Sequence, residues 1–148
     1  MEKPKLALLL FGMSVNPEYR HWIIKKHIDV HWRNSYENYK EFIFDFFEKK
    51  GYDIDVYFTT NTLNDKDKIE LCKAYQPIKC DFIDNYPDKT ISRNTKIKNV
   101  AELCLSTNMN YDLVLITRFD LLFQKKFHES NIQFDKFNLV SILERPHL

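Results

Sequence analysis

Glycine is nearly absent from this chain: 148 residues hold two, Gly12 and Gly51. That scarcity argues against two function classes, because G-x-G-x-x-G and Walker-type loops need glycine wherever backbone must come close to phosphate. A serine-hydrolase elbow, G-x-S-x-G, is missing as well. Cysteine is sparse, and Cys72, Cys80 and Cys104 fall inside expected helices or strands, which removes a cysteine-histidine nucleophile. Their odd number and spacing match no zinc motif. Free thiols in a reducing compartment are the expectation, with an isolated bridge between Cys72 and Cys80 as the alternative.

Charge of one sign is lacking too. The 22 basic and 21 acidic side chains leave a net charge of +1 without a long block of either sign. A nucleic-acid or polybasic membrane partner is therefore not expected, and any anion site must be local. Long apolar runs do not occur. The stretch over residues 6–11 follows lysines, as in a secretory leader, but is too short for one, has no small-residue cleavage site after it, and nothing in the chain spans a bilayer. A cytoplasmic location is the expectation.

Asparagine, by contrast, is abundant, and is expected at many turn and cap positions that glycine usually fills. Residues 5–11, KLALLLF, form a continuous apolar run suited to a strand covered on both faces, ended by Gly12. Residues 16–30 fit a short helix or a long loop equally. NSYENYKEFIFDFFEKKG is the clearest helix: Asn34 and Glu37 resemble a capping box, Tyr36, Tyr39, Phe42, Ile43, Phe46 and Phe47 recur at helical spacing, and Gly51 lies beyond its end. DIDVYFTT reads as a strand. Asn64 and Asp67 open a second helix that stops before Pro77, and IKCDFI alternates as an edge strand does. After the polar loop DNYPDKTISRN, a third helix carries Ile97, Val100, Ala101, Cys104 and Leu105 on one stripe and closes at Asn108 or Asn110. DLVLIT and FNLVSIL complete five strands. Strands alternating with helices require crossover connections, so the fold class expected is α/β, Rossmann-like, with a mostly parallel sheet and helices on both faces. One domain over residues 1–148 accounts for the length, and no internal repeat or linker divides it.

The segment YDLVLITRFDLLF then poses a question. Its apolar run breaks into Arg118 and Asp120 before turning apolar again, and neither charge is cheap to bury alone. In a sheet of strand order 3-2-1-4, this break would lie at the carboxyl end of the fourth strand, where open α/β sheets hold ligands. Of five arginines, Arg20, Arg93 and Arg118 follow strands one, three and four. A guanidinium fork suits a diphosphate, and a carboxylate such as Asp120 suits a divalent cation or a ribose hydroxyl. Against this stands the plainer reading that Arg118 and Asp120 pair with each other. His27 and His31, four apart, lack the glutamate and third ligand of a zincin, so packing or solvation is their default role.

At YDLVLITRFDLLF the chain resembles the nucleotide-sugar-binding segment of GT-A glycosyltransferases, in particular bacterial and large-virus proteins with R-x-D where D-x-D is usual. The first strand ending in LFG, the long helix leading to DIDVYFTTN, and SRNTKIKNVAELC before the R-x-D strand agree with it, so the resemblance covers most of the chain. It implies a donor-binding half, with the acceptor site and catalytic base expected beyond it. Gly12, Thr59 and Thr60 would lie near the base or ribose, Arg93 and Lys96 near a loop closing over the nucleotide, and Asp120 at the metal and diphosphate beside Arg118. A nucleoside-diphosphate sugar as donor, manganese or magnesium as cation, and a glycan or other hydroxyl as acceptor follow from the same resemblance. The rival reading is a non-catalytic α/β module that binds a nucleotide or a protein. A receiver-like domain would need paired acids after the first strand, which FGMSVNPE does not supply.

Overall fold

Residues 6–10, LALLL, have no polar face to show to water, and the chain buries all of them in β1 (Lys5–Gly12). The computed structural model describes residues 2–20, 27–129 and 132–136. The stretch left open between helix and loop proves to contain extended chain: β2 (Val15–Arg20) and β3 (His27–His31) pair antiparallel, with a register shift between Asn16 and Tyr19.

The long helix begins one residue earlier than its cap signal. Trp32, 4 % exposed, stands at the N-cap with its amide on the Ser14 carbonyl, so Asn34 falls inside the helix and the expected capping box does not form. The helix runs as α1 (Arg33–Tyr39), a π-helical stretch (Lys40–Asp45) and α2 (Phe46–Lys49). Its end is as read. Gly51, at φ +87°, lets the Gly51 amide reach the Glu48 carbonyl at 2.9 Å and the Tyr52 amide reach Phe47 at 3.0 Å, a Schellman closure.

β4 (Asp53–Thr60) follows and pairs parallel with β1 from Lys5 opposite Asp53 to Gly12 opposite Thr60. Asn64 caps α3 (Asp65–Tyr75) by accepting from the Asp67 amide at 2.8 Å. Gln76, not an asparagine, takes the left-handed position after it at φ 46°, while Asn108 takes the corresponding one near the end of the next helix at φ 54°. Asparagine thus replaces glycine less widely among the described residues than its abundance suggests. β5 (Lys79–Phe82) is the edge strand expected. α4 (Lys89–Leu105) starts eight residues before its apolar stripe begins at Ile97. Asp88 accepts from the Thr90 and Ile91 amides, and this cap outweighs the polarity that reads as loop. β6 (Leu113–Arg118) closes a four-stranded parallel sheet of order β5-β4-β1-β6.

The sheet has helices on both faces. Leu6, Leu8, Leu10, Val56 and Phe58 pack on one side with Tyr39, Ile43, Phe47, Leu71 and Tyr75, while Ala7, Leu9, Phe11 and Tyr57 meet Val100 and Cys104 of α4 on the other. β6 is not covered on both faces as its apolar run suggests: α4 lies over β1, β4 and β5, leaving Val114 and Ile116 exposed at 56 % and 47 %. The expected fifth strand, residues 137–143, lies outside the described residues. The three thiols are free, and burial, with Cys72 beside it, pushes Cys80 up to about 11. Among the described residues no helix is long and apolar enough to cross a membrane.

Candidate functional site

From β1 the chain passes to β4 and β5 on one side of the sheet, then returns through α4 to β6 on the other. The order reverses between β1 and β6, so their carboxyl ends flank the crevice where open α/β sheets hold ligands. TRFD straddles that end. The Phe119 amide donates to the Phe11 carbonyl at 3.3 Å, and its ring is wholly buried, edge-on to Phe58 and Tyr75. With the middle residue rooted in the core, Arg118 and Asp120 on either side of it are left partly exposed, at 42 % and 22 %.

These two side chains pair. Arg118 Nε donates to Asp120 Oδ1 at 2.8 Å and Nη2 to Oδ2 at 2.5 Å. The plainer reading of the motif is therefore realised, but it occupies only one edge of the guanidinium. Two of its five N–H groups are used, and the edge formed by Nη1 and the second Nη2 hydrogen has no hydrogen bond among the described residues. Both carboxylate oxygens of Asp120 are engaged.

The backbone beneath the pair is held by one face of α1. Ser35, Asn38 and Tyr39 stand at i, i+3 and i+4, the spacing that brings side chains together on a helix. Ser35 Oγ donates to the Phe119 carbonyl and the Tyr39 hydroxyl to the Arg118 carbonyl, while the Leu121 amide donates to Tyr39 at 3.3 Å. Asn38 closes the far side, donating to the Phe123 carbonyl at 2.9 Å and accepting from its amide at 2.8 Å. Burial pushes the Tyr39 phenol up to about 12, so it stays a neutral donor at physiological pH. Sequence reading placed Tyr39 among the apolar positions and missed the clamp. The one available signal was Ser35 and Asn38 interrupting an aromatic helix face. Tyr39→Phe should cost about 1–3 kcal/mol, because it leaves the Arg118 carbonyl without its donor. Urea unfolding at unchanged slope reads this directly, and an unchanged midpoint would remove the clamp from the account.

The other expected site residues occupy the same end of the sheet but differ in availability. Gly12, at φ +95°, has no atom within 4 Å of where a Cβ would stand, so conformation rather than space favours glycine there. Thr59 and Thr60 are fully buried and face opposite sides: Thr59 donates to Asn99 of α4 at 2.6 Å, and Thr60 to Ser14 Oγ at 2.8 Å. The Ser14 amide returns a bond to Thr60 at 3.0 Å and another to Asn61 at 3.1 Å. Thr60 thus holds the loops after β1 and β4, Thr59 ties the end of β4 to α4, and neither threonine is exposed. Arg20 ends β2. His31 accepts from the Arg33 amide at 3.1 Å through Nδ1.

Arg93, read within the polar loop, lies on α4 itself together with Lys96. With Lys89 they stand at i, i+4 and i+7, a stripe of cations at the helix end where the macrodipole is already positive. Arg93 is exposed, whereas Lys96 is 2 % exposed, with its ammonium on Asn85 Oδ1 at 2.8 Å and Ser92 Oγ at 2.9 Å. Burial holds that amine below the ordinary lysine range, and Asp84 acts in the opposite direction. Asn85, in the loop after β5, is exposed.

No group of three His, Cys, Asp or Glu capable of holding a metal gathers among the described residues. Two open depressions, of about 600 and 370 Å³, lie at the opposite end of the sheet around Lys5, Asp53 and Asp112, away from these residues. Comparison with protein-family models, curated proteins and solved structures gave no match, so the resemblance to GT-A enzymes rests on the quoted residues alone.

Proposed function

We propose that this chain binds a nucleoside-diphosphate sugar at the reversal of its strand order and is a glycosyltransferase or the donor-binding half of one. One observation carries the reading: an arginine with an open fork edge, oriented by Asp120, stands at the carboxyl end of β6 beside that of β1. The cations of α4 flank the same end, and Arg118, in register with Phe11, has its side chain on the α4 face of the sheet. In this reading Arg118 meets the diphosphate, Arg93 and Lys96 approach it from α4, and Gly12 leaves room for the base or ribose. Thr60 shapes the loops around it and Thr59 braces α4 against β4.

In the reaction, the bond between the anomeric carbon and the diphosphate oxygen breaks and one to an acceptor hydroxyl forms. Positive groups lower the barrier by stabilising the charge that builds on the leaving diphosphate. The acceptor proton passes to a base, a role that Asp120, held by Arg118 at both oxygens, does not fill. For this reason a non-catalytic nucleotide-binding module stays the second reading, favoured by the full engagement of the Asp120 carboxylate with Arg118.

A thermal-shift screen of the chain against UDP-, GDP- and dTDP-sugars, with and without manganese, tests the proposal. One nucleotide class should raise the melting temperature, by about 2.7 kcal/mol of linkage at a hundredfold excess over Kd. A folded protein that responds to none of them ends the donor reading. Binding without transfer or hydrolysis of the sugar selects the module.

A further inference from the structure

A D-x-D strand end offers a divalent cation two negative charges; this chain offers it a neutral pair. The Arg118 guanidinium sits on both Asp120 oxygens, at 2.8 and 2.5 Å, so a cation bound there would stand against another cation. No group of three His, Cys, Asp or Glu side chains forms around Asp120 among the described residues. These donors do not fit a resident metal.

The same end of the sheet is, however, rich in positive charge of its own. Lys96 is almost fully buried, and both of its hydrogen-bond partners, Asn85 and Ser92, are neutral. No anion hydrogen-bonds this buried ammonium and only the field of Asp84 acts on it, so a ligand that brought a bonded anion would lower its cost.

We propose that the chain neutralises a bound diphosphate with its own cations, Arg118 foremost and Lys96 with it, so that diphosphate binding needs no divalent metal. Asp120 is then a positioning residue: it holds the guanidinium so that the unused edge, two parallel N–H groups, faces the phosphate oxygens. The inference rests on the donor reading only in naming the diphosphate, and inorganic pyrophosphate serves as the nucleoside-free probe.

The test has two arms on the full chain. In the first, titration calorimetry with pyrophosphate and with UDP, GDP and dTDP is run in EDTA and in manganese. In the second, manganese binding to the protein alone is followed by electron paramagnetic resonance. The inference expects pyrophosphate affinity to change less than about twofold between EDTA and manganese, and Arg118→Gln to weaken it about tenfold or more. It also expects no manganese binding by the wild-type chain and its appearance in Arg118→Asp, which restores two carboxylates. Arg118 is 42 % exposed, so these variants keep the core, and circular dichroism checks that they do. Binding that needs manganese, or manganese held equally by wild type and Arg118→Asp, overturns the inference. Pyrophosphate binding in EDTA with no response to any nucleotide sustains it while ending the donor reading. Nucleotide binding only with manganese does the reverse.

Discussion

Phe119→Ala is expected to lower the unfolding free energy by about 3–5 kcal/mol, the range for a wholly buried phenylalanine whose removal leaves a cavity. The ring is 0 % exposed and packs edge-on to Phe58 at 5.6 Å and Tyr75 at 5.8 Å, so strand, helix and turn all lose a shared neighbour. The loss should exceed a simple cavity in one respect. Arg118 and Asp120 take their outward positions from this anchor, and ligand response should fall with stability in the mutant. Phe119→Leu, which refills most of the volume, should recover most of both. Urea unfolding at matched slope measures the stability change. A loss under about 1 kcal/mol for alanine would mean that the turn is not held from within.

Asp120→Ala should leave the fold nearly untouched and remove most ligand binding. The carboxylate is 22 % exposed and its partner 42 % exposed, a setting in which ion pairs contribute about 0–1 kcal/mol. A midpoint shift of at most about 2–4 °C is expected for a chain of this size. Binding behaves differently, because Asp120 accepts two charge-assisted bonds that fix the guanidinium plane. Freed from them, Arg118 must lose side-chain freedom at the moment of binding. Removing a charged hydrogen-bonding partner costs about 1.5–3 kcal/mol, which is about ten- to a hundredfold in affinity. Calorimetry with whichever nucleotide sugar raises the melting temperature supplies the number. A folded Asp120→Ala chain that binds as well as wild type would take Asp120 out of the site.

The parts of this fold that sequence made legible are those governed by local rules. β1 read correctly because a strand buried on both faces needs an unbroken apolar run, β4 because Val56, Tyr57 and Phe58 favour extended chain, and β6 as a strand even though one of its faces is open. The Gly51 closure and the Asn64 cap follow from the conformational needs of helix ends. The first turns of α4 were hidden because Ile91 is their one apolar large side chain and it is exposed, so no stripe announces them. Asp88 after Pro87 was the signal that remained. The pairing of β2 with β3 carries little alternation that distinguishes it from loop.

For the site, the sequence pointed to Arg118 and Asp120 and could not say how they stand. Whether they pair, and by which edge, depends on Phe119 entering the core and on a helix 79 residues earlier supplying Tyr39. Such contacts leave no local pattern. The threonines illustrate the converse: Thr59 and Thr60 end the right strand at the right end of the sheet, yet their hydroxyls are spent on Asn99 and Ser14.

The clamp from Ser35, Asn38 and Tyr39 onto residues 118–123 bears on how this turn can change over generations. Surface loops ordinarily gain and lose residues freely. Here the backbone is pinned at Arg118, Phe119, Leu121 and Phe123 to a rigid helical ruler, so an insertion or deletion of even one residue breaks several bonds together. Within this turn length is fixed through Phe123, and a change of chemistry between Arg118 and Phe123 has to come by substitution alone.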